Sequence, residues 1–274
     1  MDENKVQEDN NTPKTLEAGK FKSQSQMAGA IVIAGLLIAG AILIKGNGNS
    51  NTTSPENALP SITLAPVTSA DRSLGSPTAK LKLVMYEDFQ CPFCGRFVQD
   101  AETSIRNTYV TAGTVELVYR DFAFLGQESN QAALAAMCAN DQGKFWDYHD
   151  YLFSHQNGED QGAFADPNLK TFAKTLGLDT TAFNTCFDSG KYTQAVAHSK
   201  TGGVSVGVSG TPKGFIIADK NISTSTQNEI IKALNIPPGQ TPPVSFYAQK
   251  NIISLDGALP SSMVKSIIDI LLKQ

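Results

Sequence analysis

The hydrophobic and polar positions of the chain mark a polar start, one long apolar run and a mixed remainder. Residues 1–26 are polar without an apolar period, which predicts a disordered tail. Residues 27–44 are uncharged and apolar on every face. As a helix they would extend about 27 Å, close to the hydrocarbon thickness of a bilayer. This run therefore predicts a single transmembrane helix that anchors the chain.

The lysines beside this run predict its direction across the cell membrane. Three lysines lie between residues 14 and 22, whereas only Lys45 follows the run closely. The positive-inside rule then places the tail in the cytoplasm and the rest of the chain outside it. A cleaved signal peptide is the alternative, since residues 39–41 are small. Cleavage there would start the mature chain with the apolar residues 42–44, so we prefer an uncleaved signal-anchor.

Beyond the anchor, the periodicity predicts a flexible linker and then one folded domain. Residues 45–61 are rich in Gly, Asn and Ser and have little to bury. Residues 62–274 alternate between apolar runs of strand length and stretches of helical spacing. The predicted strands are 80–86, 114–120, 214–218, 244–247 and 251–255. The predicted helices are 92–111, 129–140, 145–155, 167–176, 180–189 and 260 to the end.

The order of these elements predicts an α/β fold with an inserted lobe. A β-α-β unit comes first, a helical block over residues 127–206 follows, and two strands and a helix complete the chain. Such an order builds a central sheet with helices on its faces. The helical block is then an insertion into that sheet. Residues 219–242 carry no element in this prediction and read as a further insertion.

Composition narrows the classes of function. Hydrophobic residues make up 41% of the chain, which is enough for a packed core. The net charge is -4 and the pI is about 5.4, and both argue against nucleic-acid binding, which needs a basic face. Four cysteines are too few for a small disulfide scaffold. Their arrangement matters more than their number, because two lie close together and two are solitary.

The adjacent pair, Cys91-Pro92-Phe93-Cys94, directly follows a predicted strand and opens a predicted helix. The N-terminus of a helix stabilises a thiolate, and two intervening residues let the second thiol attack a disulfide formed on the first. We therefore predict that Cys91 is an exposed attacking thiol and that Cys94 is a buried resolving thiol. Pro92 suits the first helical turn, where its missing N–H has no partner. Electrons reside in the cysteine pair, so no cofactor is required.

Half of a zinc site is the alternative interpretation of this pair. Structural zinc needs four ligands, usually from a second such pair or two spaced histidines. His149, His155 and His198 lie in helical segments without that spacing. No metal is therefore predicted. We also expect His149 to be a surface or capping residue, and its aromatic neighbours in residues 145–148 to belong to the core.

The sequence resembles the DsbA-like thiol:disulfide oxidoreductases. The resemblance spans residues 62–274 in the expected order. It implies a thioredoxin fold with an inserted helical domain and a disulfide oxidase or isomerase that works on exported proteins. The residues that carry it are Glu-Asp-Phe-Gln-Cys-Pro-Phe-Cys at 87–94, Tyr-Arg-Asp-Phe at 119–122, Gly-Lys-Phe-Trp-Asp-Tyr-His at 143–149, Gly-Val-Ser-Gly-Thr-Pro at 207–212 and Gly-Ala-Leu-Pro at 257–260.

This resemblance assigns a role to the loop ending at Pro212. In the family, the corresponding proline is cis and the residue before it, here Thr211, presents its backbone to an extended substrate. An ordinary trans proline is the alternative, since most X–Pro bonds are trans. Pro243 also precedes a predicted strand, but it follows residues 219–242, which depart from the family's compact pattern.

Three charged residues are candidates for tuning the cysteine pair. Glu87 and Asp88 are consecutive, so their side chains alternate across the strand. In one interpretation, one of them points inward and accepts a proton from Cys94. In the other, it faces solvent or forms a hydrogen bond within the turn. Lys213 follows the loop proline, where its ammonium either favours the Cys91 thiolate or is a solvated residue at the strand edge. Phe93 brings no charge to the pair, and we expect a less oxidising centre for that reason.

The solitary cysteines, Cys138 and Cys186, fall in predicted helices of the inserted lobe. Outside the cytoplasm two such thiols often pair, so a structural disulfide is the preferred interpretation. Two buried free cysteines that act as small hydrophobic residues are the alternative.

These predictions combine into an enzyme that forms, isomerises or reduces disulfides in exported proteins. Its partners would be unfolded or cysteine-containing clients and a membrane protein that resets the cysteine pair. That protein would be a quinone-linked oxidase for an oxidant or a thiol-donating transporter for a reductant. A membrane-tethered chaperone or assembly factor, which binds unfolded clients through the groove beside Pro212, is the alternative.

Overall fold

The fold of the chain is given by a computed structural model, which describes residues 59–274. Within this range six strands form one mixed sheet in the order β1-β3-β2-β4-β6-β5. β2 pairs in parallel with β3, and the remaining neighbours pair antiparallel. The strands are β1 (Arg72–Leu74), β2 (Leu81–Glu87), β3 (Val115–Asp121), β4 (Lys213–Ala218), β5 (Val244–Phe246) and β6 (Ile252–Asp256).

The central strand β2 is apolar along both faces because helices cover both sides of the sheet. Leu81, Leu83 and Met85 contribute to the core beneath the first and last helices. Val84 and Tyr86 contribute to a second core on the opposite face. The carboxyl end of β2 therefore delivers the residues that follow it into the interior rather than to the surface.

The helical crossover from β2 to β3 changes its winding along its length. α1 (Pro92–Phe97) continues into a π-helical segment, Val98–Glu102, then α2 (Thr103–Ile105) and a second π-helical segment, Arg106–Val110. The sequence predicted one helix over these residues. The wider turns of π-helix re-aim side chains and often occur at functional sites. Here the first such segment directs the carboxylate of Glu102 into the interior, where the residue is 1% exposed.

Five helices form the lobe between β3 and β4. Its core is rich in aromatic side chains, and four buried alanines on its first helix allow close helix packing. A disulfide joins Cys138 of that helix to Cys186 of the fourth helix, 48 positions later. The helices are α3 (Gln127–Asn140), α4 (Phe145–Ser154), α5 (Asp166–Thr175), α6 (Thr180–Asp188) and α7 (Thr193–Ser205).

Two further elements, β1 and a helix within residues 219–242, have no counterpart in the sequence prediction. β1 has three residues, too few for a period-two pattern to be seen. Residues 219–242, read as an insertion without an element, contain α8 (Thr224–Leu234). The hydroxyl of Ser223 caps this helix by accepting from the N–H of Thr226, and its apolar side chains contribute to the core. The chain ends in α9 (Ser261–Leu272), which packs beside α8.

The predicted tail and anchor, residues 1–44, lie outside the described residues, as does the linker up to residue 58. Among residues 59–274, no helix combines the length and the apolar character needed to cross a bilayer.

Candidate redox site

The Cys91–Cys94 pair lies where β2 leads into α1. Cys91 is the N-cap residue, with extended backbone angles of φ -68° and ψ 118°, and Pro92 follows at the first helical position. The carbonyl oxygen of Cys91 accepts from the N–H of Gly95 at 3.1 Å, which begins the helix. The pair thus sits at the positive end of the helix dipole, which favours an anionic sulfur.

The loop that ends at Pro212 lies opposite this helix start. The Thr211–Pro212 peptide bond is cis, and no other cis bond occurs in residues 59–274. The Sγ of Cys91 donates to the carbonyl oxygen of Thr211 at 3.4 Å. The carbonyl oxygen of Pro212 in turn accepts from the N–H of Gly257 at 3.1 Å. The redox pair and this loop therefore form one site, although 120 positions separate Cys91 from Thr211.

The two thiols differ sharply in acidity. A hydrogen bond from Cys94, which outweighs the effect of burial, lowers the pKa of Cys91 to about 6. Burial raises the pKa of Cys94 well above its ordinary value, and the charge of Glu87 adds to that rise. Cys91 is 4% exposed and Cys94 is 0% exposed. The prediction of a buried second thiol agrees with these values. The prediction of an exposed first thiol is wrong, because the Thr211 loop covers it.

This difference in pKa predicts the pH dependence of alkylation of the reduced protein. The labelling rate of Cys91 by iodoacetamide should rise through about pH 6, because the thiol is protonated below its pKa and a reactive thiolate above it. Cys94 should stay unlabelled across the neutral range. Peptide mass spectrometry after timed labelling from pH 4 to 9 measures both rates. A Cys91 midpoint near pH 8.5, the ordinary value for cysteine, would contradict the geometry.

Both acidic residues of the strand end are buried, although alternation predicted that at most one would point inward. Asp88 is a structural clamp rather than a free base. One carboxylate oxygen accepts from the N–H of Gln90 at 2.8 Å and the hydroxyl of Ser129 at 2.6 Å. The other accepts from the N–H groups of Phe124 and Leu125 at 2.8 and 3.1 Å. With both oxygens engaged, Asp88 ties the redox loop to the lobe. It is therefore not available to accept a proton from Cys94.

Glu87 has the opposite environment. It is 0% exposed, and neither of its carboxylate oxygens has a hydrogen-bond partner. Burial raises its pKa to about 7. A carboxyl group with this pKa gains and loses a proton in the neutral range, as a general acid–base group must. Of the two strand-end acids, Glu87 is therefore the one suited to exchange a proton with Cys94.

His149 lies beside Glu87 and not at the surface. It is 0% exposed, and its Nε2 lies 3.9 Å from a Glu87 oxygen and 3.8 Å from a Glu102 oxygen. The expectation of a surface or capping histidine is therefore wrong. The partners that draw it inward come from the distant β2 strand and the first crossover helix. The charges of Glu102, Asp150 and Glu87 raise its pKa despite burial, which acts in the opposite direction.

These three groups lie close enough together to raise the question of a metal ion. The Glu102 oxygen that faces His149 already lies 2.6 Å from a nitrogen of Arg106. A guanidinium cation therefore compensates this carboxylate, and we assign no metal to the cluster.

Two glutamines that sequence reasoning missed fasten the redox loop to the lobe. The Gln156 amide donates to the carbonyl oxygens of Phe89 and Cys91 at 2.6 and 3.1 Å. The Gln90 side chain donates to Ser129 at 2.9 Å and accepts from the N–H of Asp160 at 2.5 Å. No motif marks these glutamines, although Gln90 stands beside Cys91 in the sequence.

Lys213 lies on β4 next to the cis-proline, and its ammonium forms an ion pair with Asp256. The hydrogen bonds that lower the pKa of Cys91 come from Cys94, Thr211 and the backbone of the helix start. Lys213 is not among them, so its charge is directed to the sheet partner rather than to the thiol.

A groove lined by both apolar and polar side chains adjoins the redox pair. Phe93 is 52% exposed and the guanidinium of Arg96 stacks 4.3 Å from its ring centroid. Together with Phe97 and Leu259, these residues line a groove of about 670 Å³ between α1 and the loop before α9. An exposed aromatic ring beside a reactive thiol is suited to hold an apolar segment of a client.

Comparison with known proteins identifies the family to which the chain belongs. Residues 68–235 match the model of the thioredoxin family. The chain belongs to the thioredoxin family. A probable disulfide bond formation protein D of Bacillus anthracis is 24% identical to this thioredoxin-family chain over 171 residues, which are 61% of this chain and 78% of that protein. The predicted resemblance to DsbA-like thiol:disulfide oxidoreductases is confirmed at the level of family and fold.

Two further proteins, an antiporter and BdbD, are also similar to the chain. A Na(+)/H(+) antiporter, NhaA 1, of Salinispora arenicola is 31% identical over 148 residues, which are 53% of this thioredoxin-family chain. The matched segment spans about a fifth of that antiporter, 21% of its length. Oxidised BdbD from Bacillus subtilis superposes with a TM-score of 0.60 at 20% identity, over 78% of this chain and all of BdbD. That likeness shows the mixed α/β fold.

Proposed function

We propose that the protein is an extracytoplasmic thiol:disulfide oxidoreductase whose redox centre is Cys91-Pro92-Phe93-Cys94. The observation that carries the proposal is the 3.4 Å contact between the Cys91 sulfur and the carbonyl oxygen before the cis-proline. It joins a thiol of lowered pKa to a loop that offers backbone groups to an extended peptide. Disulfide bond formation protein D, the relative from Bacillus anthracis, carries a name consistent with this activity.

Exchange proceeds through a mixed disulfide on Cys91. When the pair is oxidised, a client thiolate attacks the Cys91 sulfur, a new S–S bond forms, and Cys94 leaves as the buried sulfur. Cys94 then takes a proton, because burial opposes its anion. A second client thiolate releases Cys91 as the stabilised thiolate. The client gains a disulfide and the protein is reduced by two electrons. The reverse sequence reduces a client disulfide.

Glu87 is the proton partner of Cys94 in this scheme. It is buried, its charge acts on the Cys94 thiol, neither of its carboxylate oxygens has a hydrogen-bond partner, and burial raises its pKa to about 7. It gives a proton when the Cys91–Cys94 disulfide opens and takes one when the disulfide closes. Thr211 and Pro212 position the client strand against Cys91, and the groove beside Phe93 receives an apolar segment.

The setting of this activity is also part of the proposal. Residues 27–44 anchor the chain in the cell membrane, with residues 1–26 in the cytoplasm and the folded domain outside. Clients are exported proteins with cysteines. A membrane protein restores the cysteine pair after each turnover, as a quinone-linked oxidase or as a thiol-donating transporter. The electrons are held by the sulfurs, and no cofactor takes part.

A membrane-tethered chaperone or assembly factor would bind unfolded clients through the groove beside Pro212 without exchanging disulfides, and exposed Phe93 favours client binding in either case. Replacing both Cys91 and Cys94 with serine separates the two functions. We expect the double variant to suppress aggregation of a reduced client as the parent does, and to lose its effect on the rate of native disulfide formation. The full chain in detergent, with the client's activity and light scattering followed together, measures both. Unchanged disulfide formation by the double variant would favour the chaperone.

A further inference from the structure

Behind the redox pair, three titratable side chains form a line from the interior to the surface. Glu87, at the end of β2, lies 3.9 Å from His149 Nε2 on α4. The other ring nitrogen, Nδ1, lies 2.8 Å from a carboxylate oxygen of Asp150. The side chains of Glu87 and His149 are fully buried, whereas that of Asp150 is 54% exposed. An imidazole with its two nitrogens directed at two acids is the arrangement through which a proton passes by change of tautomer.

Aromatic rings surround the imidazole in the middle of this line. The His149 ring lies among aromatic rings, with its centroid between 4.8 and 5.8 Å from each of theirs. Nε2 of His149 has no hydrogen-bond partner, and neither has Glu87. The rings belong to Phe89, Tyr119, Phe145, Trp146 and Phe153.

Charged groups from each element packed against His149 hold it in this position. Glu102, on the first π-helical segment, lies 3.8 Å from Nε2. Arg106 lies 3.3 Å from Nδ1 and binds both carboxylate oxygens of Asp150 at 2.9 and 3.0 Å. On β3, the Tyr119 ring packs against the imidazole, and the carboxylate of Asp121 is near enough for their charges to interact. The acids outnumber the base, which raises the pKa of the imidazole and stabilises the ring when it takes a second proton.

We propose that His149 and Asp150 form a proton path between Glu87 and solvent, through which the proton exchanged by Cys94 enters and leaves. The inference rests on the proposed disulfide exchange and adds the route by which its buried step is balanced. Glu87 and His149 both have raised pKa values, so each can change protonation state near neutral pH. Glu87 alone cannot serve repeated turnovers, because a fully buried carboxyl group must itself be reset.

The path balances the closing of the redox pair as follows. The Cys94 thiol gives its proton to Glu87, and the resulting thiolate attacks the Cys91 sulfur of the mixed disulfide. The Cys91–Cys94 bond forms, the bond from Cys91 to the client breaks, and the client leaves with the electron pair as a thiolate. Glu87 passes its proton to Nε2 of His149, and Nδ1 releases a proton to Asp150 and then to water. When the pair opens, every transfer runs backward.

Mixing the reduced full-length chain with oxidised glutathione tests this path. Samples are quenched with acid, alkylated and measured as intact masses, so that the mixed disulfide and the closed disulfide are counted separately. Formation of the mixed disulfide reports attack by the Cys91 thiolate, which does not use the path. Its decay to the closed form reports the step in which Cys94 loses its proton.

We expect H149Q to slow closure by about 10-fold to 100-fold, at or below the usual contribution of a general acid–base group, and to leave formation unchanged. D150N, a surface change that keeps an acceptor for the ring N–H, should slow closure without affecting the fold. H155Q is the matched control, because His155 lies on the exposed side at the end of the same helix. It should behave as the parent does.

Two outcomes would overturn the proton path, and a third would overturn the exchange activity on which it rests. Closure at the parental rate in both H149Q and D150N would overturn the path, and so would equal slowing of formation and closure, which indicates a structural role for His149. Absence of both the mixed disulfide and the closed Cys91–Cys94 disulfide in the parent chain would instead overturn the proposed exchange activity.

Discussion

Replacing Cys91 with serine is expected to lower the rate of thiol–disulfide exchange by at least about a thousandfold, because the variant lacks the nucleophile of the first step. Among the described residues Cys91 is the only thiol with a lowered pKa, and its sulfur donates to the carbonyl oxygen of Thr211. Cys94 cannot take its place, because it is fully buried and its pKa is raised. The oxidation rate of a fluorescent dithiol peptide by the full chain measures the loss.

The companion variant Cys94→Ser should behave differently. It keeps the attacking thiolate but has no resolving thiol, so covalent complexes with client proteins should accumulate and be released by reductant. His155→Gln is a suitable control, since His155 is exposed and its replacement leaves both thiols and the groove beside Phe93 in place. If Cys91→Ser retained parental turnover, or if Cys94→Ser formed no covalent complex, the assignment of the two roles would be wrong.

Replacing Cys138 and Cys186 together with alanine is expected to lower the free energy of unfolding by about 4 kcal/mol. The disulfide closes a loop of 48 positions, and the chain-entropy model gives this value for a loop of that length. The bond joins α3 to α6, and α3 carries the Ser129 hydroxyl that holds Asp88 beneath the redox loop. Loss of the cross-link should therefore loosen the lobe before it affects the sheet.

Urea unfolding of the full chain, followed by circular dichroism, measures this difference. In excess dithiothreitol the parent also lacks the cross-link, so most of the difference between parent and variant should disappear. A difference below about 1 kcal/mol without reductant, or one that persists unchanged with it, would show that the bond contributes little to the stability of the lobe.

The sheet could be predicted because its strands carry a local signal. In β2 and β3, apolar residues of strand length are bounded by polar turns, and the order of elements then limits the topology. The redox pair was predictable for a similar reason, since Cys91 and Cys94 stand directly between a strand and a helix. β1 and α8 were missed because three residues, or a helix with few apolar positions, give too weak a pattern.

The finer design of the site could not be read from the sequence, because it depends on contacts between distant segments. Glu87 and Asp88 are neighbours of the same chemical type. Asp88 meets N–H groups of residues 36 and 37 positions later, whereas Glu87 meets His149. Nothing local distinguishes them. His149 was expected at the surface because the charges that accompany it inside come from β2 and the crossover helix.

Cys91 was expected to be exposed because its cover also comes from a distant segment. Helix-start position and the CxxC spacing predict a reactive thiol, but they contain no information about what lies above it. The covering loop belongs to a segment 120 positions later. The side chain of Thr211, in that covering loop, is also one of the groups that lower the pKa of Cys91, so the cover contributes to the reactivity that the motif predicts.

A single-turnover count of disulfides shows whether Cys91 and Cys94 form the redox centre. The oxidised full-length chain is mixed with an excess of a dithiol peptide, and both products are quenched, alkylated and measured by mass. We predict that one peptide disulfide forms for each protein molecule, that alkylation appears at Cys91 and Cys94, and that the Cys138–Cys186 bond stays intact. Peptide disulfides that form without new thiols at Cys91 and Cys94, or no peptide disulfides at all, would show that this pair is not the redox centre.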